Sequence, residues 1–166
     1  QVWFNVDMRP STVENIGNWE LVGSGGDGIF LDEDPGANTA DDVVWPVLQV
    51  LYRGASHPAE LTVSDLPCGC LPADVYRLTA RDEIQGLWQA MLDGDFPPGG
   101  AVDDLPSGDG DQGGDFVATF EITNAPPVAN PGWATVLQDS VDNELILTGC
   151  DADDDPLTFE VLWDNT

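Results

Sequence analysis

Carboxylates at alternate positions of glycine- and proline-rich turns are the residues of this chain best suited to chemistry, and that chemistry is the binding of a hard cation. Asp109-x-Asp111 and Asp151-x-Asp153-x-Asp155 put acids on one side of a turn, where two or three can face a single ion. Further acids crowd the turns at Asp32-Glu33-Asp34, Asp41-Asp42, Asp93-x-Asp95 and Asp103-Asp104. The chain has no Lys, and four Arg oppose 31 acids, for a formal charge of -27. Like charges so spaced repel unless a cation or bulk salt neutralises them. Ca2+ takes oxygen ligands in irregular loops more readily than other hard divalent cations do. Neither series is an EF-hand. That loop needs Gly at its sixth position and Glu at its twelfth, whereas Phe120 stands twelfth in the first series and Pro156 sixth in the second.

An ion held at one end of a β-module would draw ligands from two loops. In the first part of the chain the candidates are Asp27, Asp41, Asp42, Asp109, Asp111 and Asp115. In the second they are Asp151, Asp153 and Asp155. The competing explanation is a salt-adapted or GC-rich source whose acids are merely solvated. It accounts for total acidity but not for the gathering of acids in Gly-rich turns, although Asp and Gly favour turns in any case.

The elements that would position these loops are short and mostly extended. Val2, Phe4, Val6 and Met8 alternate with polar or exposed positions as a half-buried strand does. Ser11 to Glu14 has the form of a capping box opening one helical turn. Strands are expected at 18–22, 43–53, 59–64, 75–81 and 116–123, with Pro46 marking an edge or bulge in the second of them. Ile84, Leu87, Trp88 and Met91 fall at helical spacing, predicting a short helix over 82–92 with a core-facing stripe. Residues 124–131, NAPPVANP, read as a stiff linker. Three more strands are expected at 134–137, 144–148 and 157–163. The fold class is therefore all-β, a sandwich with long acidic loops and one short helix over 1–123, then a partial second β-module over 132–166.

At 166 residues with 42% hydrophobic content, the chain can hold one or two small cores. Its charge makes nucleic acid and anionic membrane poor partners, because the surface carries their sign. No apolar run approaches the roughly 18 residues of a membrane span. QVWFNVDM reads as strand, not as a signal peptide, so a mature or excised piece is expected.

The segments NVDMRPSTVENIGNWELVGSGGDGIF, TADDVVWPVLQVLY, VYRLTA and SGDGDQGGDFVATFEI resemble bacterial and archaeal Ig-like repeats of secreted surface proteins, over about residues 1–123. APPVAN and DADDDPLTFEV resemble the start of a cadherin-like bacterial repeat, over about 128–166. The resemblance implies tandem extracellular arrays that bind Ca2+, and it adds Asn130 as a ligand at the junction. The first module departs from it in lacking the initial strand of such repeats, and the second in stopping after three strands where a sandwich has about seven. A fragment of a longer array, or strands donated by neighbouring copies, would account for both.

Of the three Cys, Cys68 and Cys70 are candidates for a tight local disulfide, and Cys150 is expected as a small buried thiol or an intermolecular partner. Zinc lacks ligands, since His57 is the lone His. No nucleophile motif surrounds it, so no enzymatic activity is expected. Among the six Trp, Trp19, Trp88 and Trp163 read as core, whereas Trp3, Trp45 and Trp133 read as contact residues. Such aromatics serve a protein interface or a sugar platform, and the two-faced apolar strand around Trp45 favours the interface. Together these features imply a secreted or cell-surface, Ca2+-stabilised structural module acting as stalk, adhesin or filament subunit, with neighbouring copies or repeats as partners. A Ca2+-dependent carbohydrate-binding module recognising surface glycans is the alternative.

Overall fold

The computed structural model describes residues 1–30, 42–54, 58–94, 108 and 110–160. The chain is all-β and divides into two units, one of residues 1–65 and 74–122, the other of residues 66–73 and 123–166.

In the first unit β1 (Trp19–Gly23), β2 (Val43–Trp45), β5 (Asp74–Ala80) and β6 (Phe116–Ile122) form an antiparallel sheet in the order β2-β1-β5-β6. Strands β3 (Val47–Tyr52) and β4 (Ala59–Val63) form a separate hairpin. Pro46 marks the passage from one sheet to the other. It cannot donate to a ladder, and the chain leaves the edge strand β2 there to begin β3. The register of β3 on β4 shifts between Val47 and Gln49, so the anticipated edge and irregularity are both present.

Alternation decides which side chains are buried. Tyr76 and Ala80 of β5 are fully enclosed, and Tyr76 stacks on its cross-strand partner Phe120 with centroids 5.4 Å apart. Trp19 sits opposite Ala80, a large ring beside a small side chain. Met8, Val13, Trp19, Val50, Tyr52, Ala59, Ala80 and Ile84 make one core cluster, flanked by Val2, Phe4, Leu61, Leu78 and Phe116. Buried polar groups within it are paired, as burial demands. The Trp19 indole donates to the Val13 carbonyl at 2.7 Å, and Met8 N donates to the Tyr52 hydroxyl at 3.0 Å.

Three local expectations for this unit are corrected. Residues 2–8 are not a strand: they make single bridge pairs, Val2 to Ala59 and Met8 to Gly86, with a bend at Asn5 and Val6 between them, and Val6 is exposed. The helical turn α1 is Pro10–Val13, not a capping box from Ser11. Pro10 supplies the pre-set φ of a first turn, Arg9 is the N-cap but its side chain does not cap the turn, and the Glu14 carboxylate instead accepts from Tyr52 N at 3.2 Å. The segment 82–92 is no helix. Gly86 N donates to the Ala90 carbonyl and Leu92 N to that of Ile84, folding the segment back on itself with Gln89 at φ +67. Ile84 is fully buried, but Leu87 and Trp88 point outward, and Trp88 is 94% exposed rather than core.

Among its described residues the second unit has one short ladder, β7 (Val128–Ala129) against β8 (Gly149–Cys150), extended by Asn130 N donating to the Thr148 carbonyl. The supposed linker 124–131 thus contains a paired strand. Residues 134–137, 144–148 and 157–160 are not strands, and Leu137, Val141 and Ile146 are 82%, 80% and 71% exposed. Apolar alternation there has no partner strand among the described residues.

Residues 66–73 belong to this second unit, although they lie between β4 and β5 in the chain. Cys68 is bonded to Cys150, with Cα atoms 5.8 Å apart, and Cys70 is a free, half-buried thiol. The Cys68–Cys70 pairing is therefore replaced by a bond across 82 residues, and Cys150 is neither a thiol nor an intermolecular partner. A loop closed over two residues is sterically demanding, whereas β8 brings Cys150 to Cys68 at an ordinary Cα separation.

Candidate metal centre

Strand β8 ends at Cys150 and the chain turns at once through Asp151–Asp155. Two backbone amides organise the turn on one carboxylate. Asp151 Oδ1 accepts from Asp153 N at 2.9 Å and from Asp155 N at 3.4 Å, an arrangement for which Asp side chains are well suited. Asp154 takes φ +60 at the tip, a conformation Asp tolerates better than most residues. Asp153 is fixed from outside the turn, since its Oδ2 accepts from Ala125 N at 2.6 Å and its Oδ1 from Ala73 N.

The result is a cluster in which one oxygen from each of Asp151, Asp153 and Asp155 lies within 4.8 Å of the others. Asp151 and Asp153 are half-buried and Asp155 is exposed. Oxygens on opposite sides of one Ca2+ stand about 5 Å apart, so a single ion can reach all three, with carbonyls or water completing its shell. Left alone, each pair of charges at that separation repels by roughly 3 kcal/mol at an effective dielectric constant near 20. The backbone donors on Asp151 and Asp153 offset part of that cost.

Among the described residues the other candidates do not form such a group. Asp41 and Asp109 lie outside the described residues. Asp27 Oδ1 accepts from Ile29 N at 2.8 Å, and Asp115 Oδ1 from Asp82 N at 2.9 Å. Asp42 is half-buried and Asp111 exposed. Among the described residues the 151–155 turn is the only grouping of three potential ligands. Asn130 is engaged with Thr148, its Nδ2 donating to the Thr148 hydroxyl at 3.2 Å.

One carboxylate that organises a loop was not singled out from sequence. Asp74, at the start of β5, accepts from the Ser24 hydroxyl at 2.6 Å, Gly26 N at 3.1 Å and Val75 N at 2.7 Å on one oxygen, and from Gly25 N at 3.1 Å on the other. Ser24 in turn accepts from Gly28 N at 3.0 Å. Gly25 and Gly26, at φ +71 and +96, let both amides face inward. Asp74 therefore shapes the turn that carries Asp27. Its only sequence signal is a Gly-rich turn in want of an acceptor, and the acceptor stands about fifty residues away.

Of the interface candidates, Trp3 is 64% and Trp133 90% exposed. Trp45 is half-buried, its indole N–H enclosed without an acceptor among the described residues. Trp3 borders an apolar groove of about 900 Å³ on the first unit, with Phe4, Met91, Phe116 and Phe120 among its walls and Asn5 and Asp93 as polar groups. No family model, no curated protein and no solved structure matches this chain.

Proposed function

We propose that this chain is a structural segment of an extracellular or cell-surface protein, its acidic turns held by Ca2+, serving as stalk, adhesin piece or filament subunit. The observation that carries the proposal is the Asp151–Asp153–Asp155 turn, whose three carboxylates converge within 4.8 Å while backbone amides fix two of them. The Cys68–Cys150 bond accords with an oxidising, extracellular setting. The likeness of the first part to Ig-like repeats and of the second to cadherin-like repeats supports the same role. Its partners in this reading are neighbouring copies or repeats, and its work is mechanical, without catalysis.

The groove beside Trp3 favours a second reading, a carbohydrate-binding module, because aromatic walls with a few polar groups suit a sugar.

Calorimetric titration with Ca2+, together with melting temperature in Ca2+ and in chelator, tests the first reading. Extracellular modules bind with dissociation constants of about 0.1–1 mM, and a ligand at a hundred times its Kd stabilises by about 2.7 kcal/mol. Asp151→Asn with Asp155→Asn keeps an acceptor oxygen at each position while removing two charges, and should abolish the Ca2+-dependent gain. A melting temperature indifferent to Ca2+ in the unaltered chain defeats the proposal. Retention on glycans, lost in Trp3→Ala, would favour the alternative.

A further inference from the structure

We infer that the Cys68–Cys150 bond is a redox-operated clasp governing the order of the second unit alone. Among the described residues of that unit only Ala125 is buried, and its ladder is two residues long on each side. Its large apolar side chains face outward, so hydrophobic burial contributes little to its cohesion. The disulfide and the hydrogen bond from Ala73 N to Asp153 both join residues 66–73 to the strand and turn at 149–155. Cys68 sits at φ +54, so its turn is held in a conformation a non-glycine residue rarely takes and is free to relax once the bond opens. The first unit has its own core cluster and contributes no residue to the bond.

The chemistry needs a dithiol reductant. One of its thiolates attacks a sulfur of the pair, the S–S bond breaks, and the departing cysteine thiolate takes up a proton. The second thiol then resolves the mixed disulfide, leaving two cysteine thiols and a cyclic disulfide of the reductant, which has given up two electrons. Opening the clasp frees Cys68 from β8 and leaves the 66–73 segment on the acidic turn through the Ala73 N bond to Asp153, without the covalent tie beside it.

The test uses the full chain carrying Cys70→Ser, so that no other pairing within a molecule competes, in chelator throughout. The clasp is thereby read independently of cation binding. Amide hydrogen exchange is followed by mass spectrometry before and after dithiothreitol, with alkylation reporting that both thiols are free. Protection of residues 123–160 should fall by about tenfold or more, while the strands of the first unit change by less than about twofold. Cys70→Ser with Cys150→Ser should show the reduced pattern without any reductant. Unchanged exchange in residues 123–160 after complete reduction, or equal loss of protection in both units, overturns the inference.

Discussion

Replacing Asp74 with Ala removes the acceptor of four hydrogen bonds, three of them from backbone amides, and leaves the Ser24 hydroxyl without its acceptor while Ser24 stays enclosed. Hydrogen bonds to a charged group contribute about 1.5–3 kcal/mol each when measured singly. They are not additive around one carboxylate, and Asp74 is only half-buried, so water replaces part of what is lost. The expected destabilisation is about 3 kcal/mol, close to two full bonds. For a unit of about a hundred residues that lowers the melting temperature by roughly 15 °C. Asp74→Asn should cost about half as much, because the amide oxygen can still serve the Oδ1 donors but its NH2 confronts Gly25 N. Calorimetry gives the melting shift, and amide exchange at Gly25, Gly26 and Gly28 localises it. If Asp74→Ala melts within about 0.5 kcal/mol of the parent and those amides keep their protection, the carboxylate does not organise the turn, and the description of Asp27 as positioned by it is wrong.

Ile84→Ala should cost about 3 kcal/mol by leaving a cavity at a fully buried site, whereas Trp88→Ala should change stability by no more than about 0.5 kcal/mol. Chemical denaturation of the two variants side by side checks the folded-back course of 82–92, because a helix with its stripe inward would make both costly. Tyr52→Phe strands the buried Met8 amide and should lower stability by about 1–3 kcal/mol, read in the same denaturation experiment.

Elements written in local alternation were legible in the sequence. The strands β1, β4, β5 and β6 fall within a residue or two of their apolar pattern, and Pro46 announces the break between β2 and β3. Features set by distant partners were not. Ile84, Leu87, Trp88 and Met91 satisfy a helical period, but Met8, far off in the chain, bridges Gly86, and the segment folds back at Gln89. Cys68 had a neighbour at Cys70, and nothing local says that β8 delivers Cys150 instead. The acidic turn was visible because its three carboxylates are nearly contiguous. The Asp74 loop was not, because donors and acceptor meet only once β1 and β5 pair.

The structure also changes what the crowding of acids means. Asp27, Asp74, Asp93, Asp115, Asp151 and Asp153 each accept at least one backbone N–H in a turn or loop. A chain without Lys can thus answer many of its carboxylates with peptide dipoles, which costs no charged partner and orders the turn at the same time. For Asp27, Asp74, Asp93 and Asp115 neither a cation nor salt is required, and acidity in turns is not in itself a sign of metal. The 151–155 turn differs because three carboxylates share one space and its exposed member, Asp155, adds charge that the two inner acids must tolerate. Dissolved salt would relieve that repulsion at any such place on the surface, whereas a bound ion relieves it here and nowhere that acids stand singly on backbone donors. Stabilisation by Ca2+ that persists in high concentrations of monovalent salt, and that disappears with Asp155→Asn but not with Asp115→Asn, separates a built site from general salt adaptation. Equal response to both substitutions would assign the effect to screening.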